Sequence, residues 1–128
     1  MQKLYIEQTF QTPLVLLDPK NNAFEIRGNS LPNNPYWFYV PVLKWLDEYA
    51  EQSNPESVFV FQLNHQNSSS KKVFQEMLKS LDRIHQSGKK VSLDWHYPED
   101  DEDIFQYGLE FKKSVSFPVN CVPIPLSN

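Results

Sequence analysis

The chain has 128 residues, three glycines, ten prolines, one cysteine and a formal net charge of −4. With 40% hydrophobic and 14% aromatic residues, it can bury one sizeable core, which excludes a disordered chain and leads us to expect one domain over residues 1–128. It has no long basic run, its adjacent lysines being the isolated pairs Lys71-Lys72, Lys89-Lys90 and Lys112-Lys113, which argues against nucleic-acid binding through the phosphate backbone and against a polybasic membrane anchor.

In chain order, Leu4 to Gln8 alternates apolar and polar residues and predicts a short strand. Leu14 to Leu17 is an apolar run ending in the turn formers Asp18-Pro19-Lys20-Asn21-Asn22, and Ala23 to Arg27 alternates again, so these two runs predict a hairpin. Gly28 to Pro35 reads as a polar loop. Tyr39, Val42, Leu43, Leu46 and Tyr49 then fall at helical spacing, with Pro41 either starting the helix or kinking it. Ser57 to Leu63 predicts a buried strand. The stripe Val73, Phe74, Met77, Leu78, Leu81 and Ile84 predicts a strongly amphipathic helix that Gly88 is placed to end.

Lys90 to Trp95 predicts a strand with Val91, Leu93 and Trp95 on one face, and Pro98 to Lys113 a helix with an acidic start. The proline-containing segment Phe117 to Leu126 predicts an edge strand. The order β-β-β-α-β-α-β-α-β implies right-handed crossovers in its second half, and hence an α/β fold with a single mixed sheet and about three packed helices.

Five constellations bear on chemistry. Asn67-Ser68-Ser69-Ser70, followed by Lys71-Lys72, lies between a strand and a helix. One such residue suffices for an N-cap, and four in a row exceed that need. A phosphate there would meet the positive end of the helix dipole and nearby lysines. Capping and a phosphoacceptor site both remain open at this point.

Glu99-Asp100-Asp101-Glu102-Asp103 is a favourable helix start, a docking face, or a set of oxygen ligands for a cation. With His96 it would make a small metal- or ligand-binding enzyme domain. The histidines His65, His85 and His96 share no metal-ligand spacing, and Cys121 sits among valines and prolines that do not favour a thiolate. No nucleophile elbow and no phosphate-cradling glycine loop are present, so neither a catalytic residue nor a cofactor is expected. Tyr36-Trp37-Phe38-Tyr39 is four consecutive aromatics. One helix face cannot bury all four, which points to Trp37 as a partner contact.

Several of these segments together resemble one family. Gly28-Asn29-Ser30-Leu31-Pro32-Asn33-Asn34 is similar to its Gly-x-Ser-x-Pro-Glu-Asn loop, and Val42-Leu43-Lys44-Trp45 to its first-helix pattern. Asn67-Ser68-Ser69-Ser70 is similar to its Asn-Thr-Ser-Ser motif, and Trp95-His96-Tyr97 with Asp100 to Asp103 to its Trp-x-Tyr and acidic-helix signature. The family is that of the SiaC-like bacterial regulatory phosphoproteins.

The resemblance implies a fold like that of anti-sigma-factor antagonists (STAS-like domains). It also implies a cytoplasmic, non-enzymatic protein phosphorylated by a partner kinase and reset by a metal-dependent Ser/Thr phosphatase. The unmodified form would bind and activate an effector such as a diguanylate cyclase, raising cyclic-di-GMP and promoting biofilm. Carried onto this chain, the acceptor is Ser68, with Ser69 and Ser70 as alternates. The partner surface would comprise Asn67, Ser68, Ser69, Trp37 and Asn34. Ser68 stands where the family has threonine, and Asn33 where it has glutamate.

Overall fold

The computed structural model describes residues 1–66 and 68–126. All nine expected elements are present: β1 (Leu4–Ile6), β2 (Leu14–Asp18), β3 (Ala23–Ser30), α1 (Pro35–Glu51), β4 (Glu56–Gln66), α2 (Ser68–Gln86), β5 (Lys90–Pro98), α3 (Glu102–Ser114) and β6 (Val119–Ile124). They build one mixed sheet of six strands whose spatial order equals the chain order. The pairs β1–β2 and β2–β3 are antiparallel, and β3 to β6 run parallel.

Consecutive parallel neighbours joined by right-handed crossovers place every crossover helix on the same side of the sheet. The register agrees. Val15 and Leu17 stand opposite Ile26 and Phe24, which align with Phe61 and Phe59, then with Trp95 and Leu93, then with Cys121 and Val119. That row is the buried face, and it packs against Tyr39, Trp45 and Tyr49 of α1, Phe74 of α2 and Phe111 of α3. The reverse face carries Glu25, Arg27, Gln62, Asp94 and Asn120, joined by Arg27–Glu25, Arg27–Gln62 and Asn120–Asp94 hydrogen bonds. Polar contacts of this kind suit a sheet face with no helix over it.

Two indole N–H groups fasten the ends of the layer. Trp45 Nε1 donates to the Gln2 carbonyl at 2.9 Å, and Trp95 Nε1 donates to the Ile104 carbonyl at 2.8 Å. Buried indole nitrogens need such partners.

Several element bounds differ from expectation for local reasons. Strand β3 continues through Gly28 to Ser30, where a polar loop was predicted, and its register with β4 shifts between Gly28 and Asn29. Gly28 has a φ of 124°, and a Cβ there would come within 2.8 Å of the Gln8 side chain, so this irregularity requires glycine. Helix α1 starts at Pro35 rather than Pro41 and runs through Pro41. Pro35 takes the first-turn position, where a missing N–H costs least. Helix α3 starts at Glu102, because Pro98 belongs to β5 and the cap is Asp101, whose carboxylate accepts from Ile104 N at 3.1 Å. The hairpin, the α2 stop at Gly88 (φ 101°) and the edge position of β6 are as predicted.

Helix α3 can lie close to the sheet because Gly108 has no side chain. A Cβ there would fall 2.5 Å from Trp95 Cδ1 and 3.1 Å from Cys121 Sγ. Gly108→Ala is therefore expected to lower stability by about 1–3 kcal/mol through overpacking, despite alanine's better helix propensity. Urea unfolding of the two proteins checks this.

Candidate functional site

The carboxyl ends of β3 and β4, the loop after β3 and the first turns of α1 and α2 converge at one edge of the sheet. This is the edge where open α/β sheets place their sites. Beneath it lies a cluster of three buried hydroxyls. Ser30 Oγ is 2.7 Å from Tyr39 Oη and donates to Ser70 Oγ at 2.9 Å, while Ser70 Oγ donates to the Ser30 carbonyl at 3.1 Å. A hydroxyl has one proton, so Tyr39 supplies the proton of its bond to Ser30. Burial pushes the Tyr39 phenol well above its ordinary pKa, which keeps that proton in place.

The three serines that open α2 are not equivalent. Ser70 has no exposed surface, whereas Ser68 and Ser69 are exposed. Ser70 is therefore corrected from alternate phosphoacceptor to structural anchor, since a kinase cannot reach a hydroxyl enclosed by Ser30 and Tyr39. Asn67, assigned to the partner surface from the sequence, lies outside the described residues.

Ser68 and Ser69 open on a cleft of about 380 Å³ lined also by Asn33, Asn34, Pro35, Tyr36 and Lys72. Asn34 is the N-cap of α1, its side chain accepting from Trp37 N at 3.1 Å. That bond fixes the first turn of α1, and the Tyr39–Ser30–Ser70 hydroxyls hold it beside the first turn of α2. The following aromatics divide as their number requires. Tyr39 is fully buried, Phe38 is partly buried, Tyr36 is half exposed and Trp37 is 78% exposed. Phe10 is 86% exposed, and its loop is tied to the end of β3 by Asn29 Nδ2 donating to the Phe10 carbonyl and Leu31 N donating to the Gln11 carbonyl. An isolated phenylalanine beside turn formers gave no sequence signal for this exposure.

The two lysines after the serines have different surroundings. Lys71 is paired with Glu110 of α3 and lies 4.9 Å from the centre of the Tyr107 ring. Lys72 is exposed and makes no ion pair among the described residues.

The acidic run forms a separate cleft of about 750 Å³ lined by Asp100, Asp101, Glu102 and Asp103 with Asn29, Asn64, His65 and Pro98. The histidine there is His65. His96, which the sequence reading grouped with the acids, alternates with buried Trp95 and so points to the helix-free face of the sheet. Among the described residues, no group of three or more His, Cys, Asp and Glu side chains could hold a metal ion. Cys121 is a free thiol raised above its ordinary pKa by burial, which leaves it a poor nucleophile. Among the described residues, no helix is long and apolar enough to cross a membrane.

The profile of the SiaC family of regulatory phosphoproteins matches residues 6–124. The chain belongs to that family. Membership makes it a regulatory protein and not an enzyme. An uncharacterised protein of Pseudomonas aeruginosa (strain UCBPP-PA14) is 30% identical over 118 residues, spanning 92% of this chain and 94% of that one. The crystal structure of apo-SiaC from P. aeruginosa superposes with a TM-score of 0.85 at 29% identity, over 97% of this chain and 100% of that one. A similar match, with TM-score 0.85 and 29% identity over 94% of this chain and 99% of that one, is to SiaC in a crystal structure where it is the activator bound to the diguanylate cyclase SiaD. The mixed sheet with three helices on one face is thus the SiaC architecture, consistent with the STAS-like expectation.

The hydroxyl cluster gives this SiaC-family member a direct test of the two kinds of serine. Ser70→Ala or Tyr39→Phe leaves a buried polar group without its partner and is expected to cost about 1–3 kcal/mol. Ser68→Ala at the surface is expected to change stability by no more than about 0.5 kcal/mol. Equilibrium denaturation of the three variants makes the comparison.

Proposed function

We propose that this chain is a cytoplasmic switch protein whose unmodified form binds and activates a diguanylate cyclase, and that phosphorylation of Ser68 turns the binding off. The observation that carries the reading is the placement of Ser68. Its side chain is exposed at the sheet's carboxyl edge, in a cleft shared with half-exposed Tyr36, on a turn anchored from below by Ser70, and exposed Trp37 follows Tyr36 in the first turn of α1. Family membership supplies the chemical class of the switch, and the complex of the P. aeruginosa relative supplies the class of effector.

The chemistry belongs to the partners. A protein kinase transfers the terminal phosphoryl group of ATP. The Ser68 Oγ–P bond forms, the P–O bond to ADP breaks, and the hydroxyl proton passes to a kinase base. A metal-dependent Ser/Thr phosphatase reverses the state by directing water at phosphorus, releasing inorganic phosphate and restoring the hydroxyl. This chain contributes a rigid, exposed acceptor. Serine in place of the family threonine keeps the hydroxyl and loses a methyl group.

The switch needs no rearrangement of the domain. Phosphorylation adds about −1.5 to −2 charges and three strong acceptor oxygens to a surface lined by hydroxyls, amides, Tyr36 and the ammonium group of Lys72. A loss of about 3 kcal/mol at that contact weakens binding more than a hundredfold. The resulting drop in cyclase activation would lower cyclic-di-GMP and biofilm formation.

Mass spectrometry of the protein isolated from its host is expected to find phosphate on Ser68 and none on Ser70, with the signal absent from Ser68→Ala. In binding measurements with the host's diguanylate cyclase, Ser68→Asp is expected to weaken association by tenfold or more. Trp37→Ala is expected to do the same without loss of stability, as for an exposed aromatic anchor worth about 2 kcal/mol. Equal affinity of wild type and Ser68→Asp would defeat the switch.

A further inference from the structure

We infer that Lys72 is the internal counter-ion of phosphorylated Ser68, so that the modified protein folds its own phosphate into the cleft and masks the lysine that is its one cation among the described residues. The inference rests on the Ser68 reading above and deepens it. Ser68 and Lys72 are one helical turn apart on α2, the spacing at which side chains of opposite charge meet on one helix face. Both line the same cleft. Its other walls are Asn33, Asn34, Pro35, Tyr36 and Ser69, none of them a carboxylate. Lys72 also borders the adjoining cleft of Glu76 and Asp82, where Glu76 is paired with Lys79 and a phosphate dianion would outweigh a single carboxylate.

The neighbouring lysine cannot serve equally. Lys71 is engaged by Glu110 and the Tyr107 ring, contacts that hold α2 to α3 and would have to break. Lys72 stands exposed with no ion pair to a described carboxylate, and an ammonium on a flexible four-carbon stem can swing to a phosphate without moving the helix. The Asn33 amide and the Tyr36 hydroxyl supply further donors on the α1 side of the cleft. The phosphate thus changes the surface twice: it introduces an anion, and it withdraws the cation that the unmodified face presents.

The test uses the full chain with phosphoserine installed at position 68 during synthesis, followed by ³¹P NMR across pH. An isolated phosphoserine has a second pKa of about 6. In the folded protein it is expected below the value for the same chain unfolded in urea, because the dianion is favoured beside a cation. Lys72→Gln is expected to raise it by roughly half a unit, the size of one ion pair in a largely aqueous setting. Lys72→Arg should restore the wild-type value, and Lys79→Gln should leave it unmoved. An unchanged pKa in a folded Lys72→Gln protein overturns the inference, as does an equal rise in Lys71→Gln. Absence of phosphate on Ser68 in protein from the host is a separate result that would defeat the switch itself.

Discussion

The hydroxyl cluster of Ser30, Tyr39 and Ser70 is the constraint on which the functional edge depends. It joins the last residue of β3, the second turn of α1 and the first turn of α2, three segments separated by up to 40 residues in the chain. Each hydroxyl is out of contact with water, so each bond lost would leave a buried polar group unsatisfied. Geometry at the surface follows from this. With Ser70 fixed, the two serines before it are held outward at the mouth of the cleft. With Tyr39 fixed, Tyr36 and Trp37 are turned away from the core on the same helix. A fixed surface hydroxyl and a fixed exposed aromatic are thus products of one internal network.

The one-sided layering explains why exposed hydroxyls, aromatics and acids gather at this edge. The three helices occupy one face of the sheet, and the other face is crossed by the side-chain contacts of Arg27, Gln62, Asp94 and Asn120. The carboxyl edge combines helix starts, which carry unpaired N–H groups, with loops that need not contribute to the core. The acidic cleft beside His65 lies along the same edge and is distinct from the Ser68 cleft in its lining and its charge. A partner that prefers one of them meets a surface of mixed character, which favours a defined orientation over simple attraction.

Most of the fold was legible because periodicity and punctuation agreed. Val91, Leu93 and Trp95 alternate as a half-buried strand must, the stripe from Val73 to Ile84 repeats with a helical period, and Gly88 ends it. Misplaced bounds arose where a local signal had two meanings. Pro98 followed by acids looks like a helix start, and only the turn from Pro98 to Asp101 assigns the cap three residues later. Gly28-Asn29-Ser30 looks like a loop because its burial comes from α1 and α2, which the local sequence does not show. The same limit applied within the site. Ser68, Ser69 and Ser70 are identical in sequence, and the partner that sets Ser70 apart lies 40 residues earlier. The similarity of Gly28-Asn29-Ser30 to a family motif marked that partner without giving its role. Likewise His65, not His96, faces the acids, because the strand alternation that carries His96 to the opposite face outweighs its closeness in sequence.

The identity of strand order and chain order has a consequence for synthesis. As the chain leaves the ribosome, each new strand finds its only earlier neighbour already made, and each crossover helix covers a piece of sheet that has just been completed. No strand has to wait for a later one to be inserted between it and its predecessor. Such nearest-neighbour growth keeps loop closures short and favours rapid folding for a sheet protein. It also sets a sequence of events: β3, α1 and the start of α2 emerge well before β5, α3 and β6, so the serine turn can be docked on its hydroxyl anchor while the last third of the protein is still being translated.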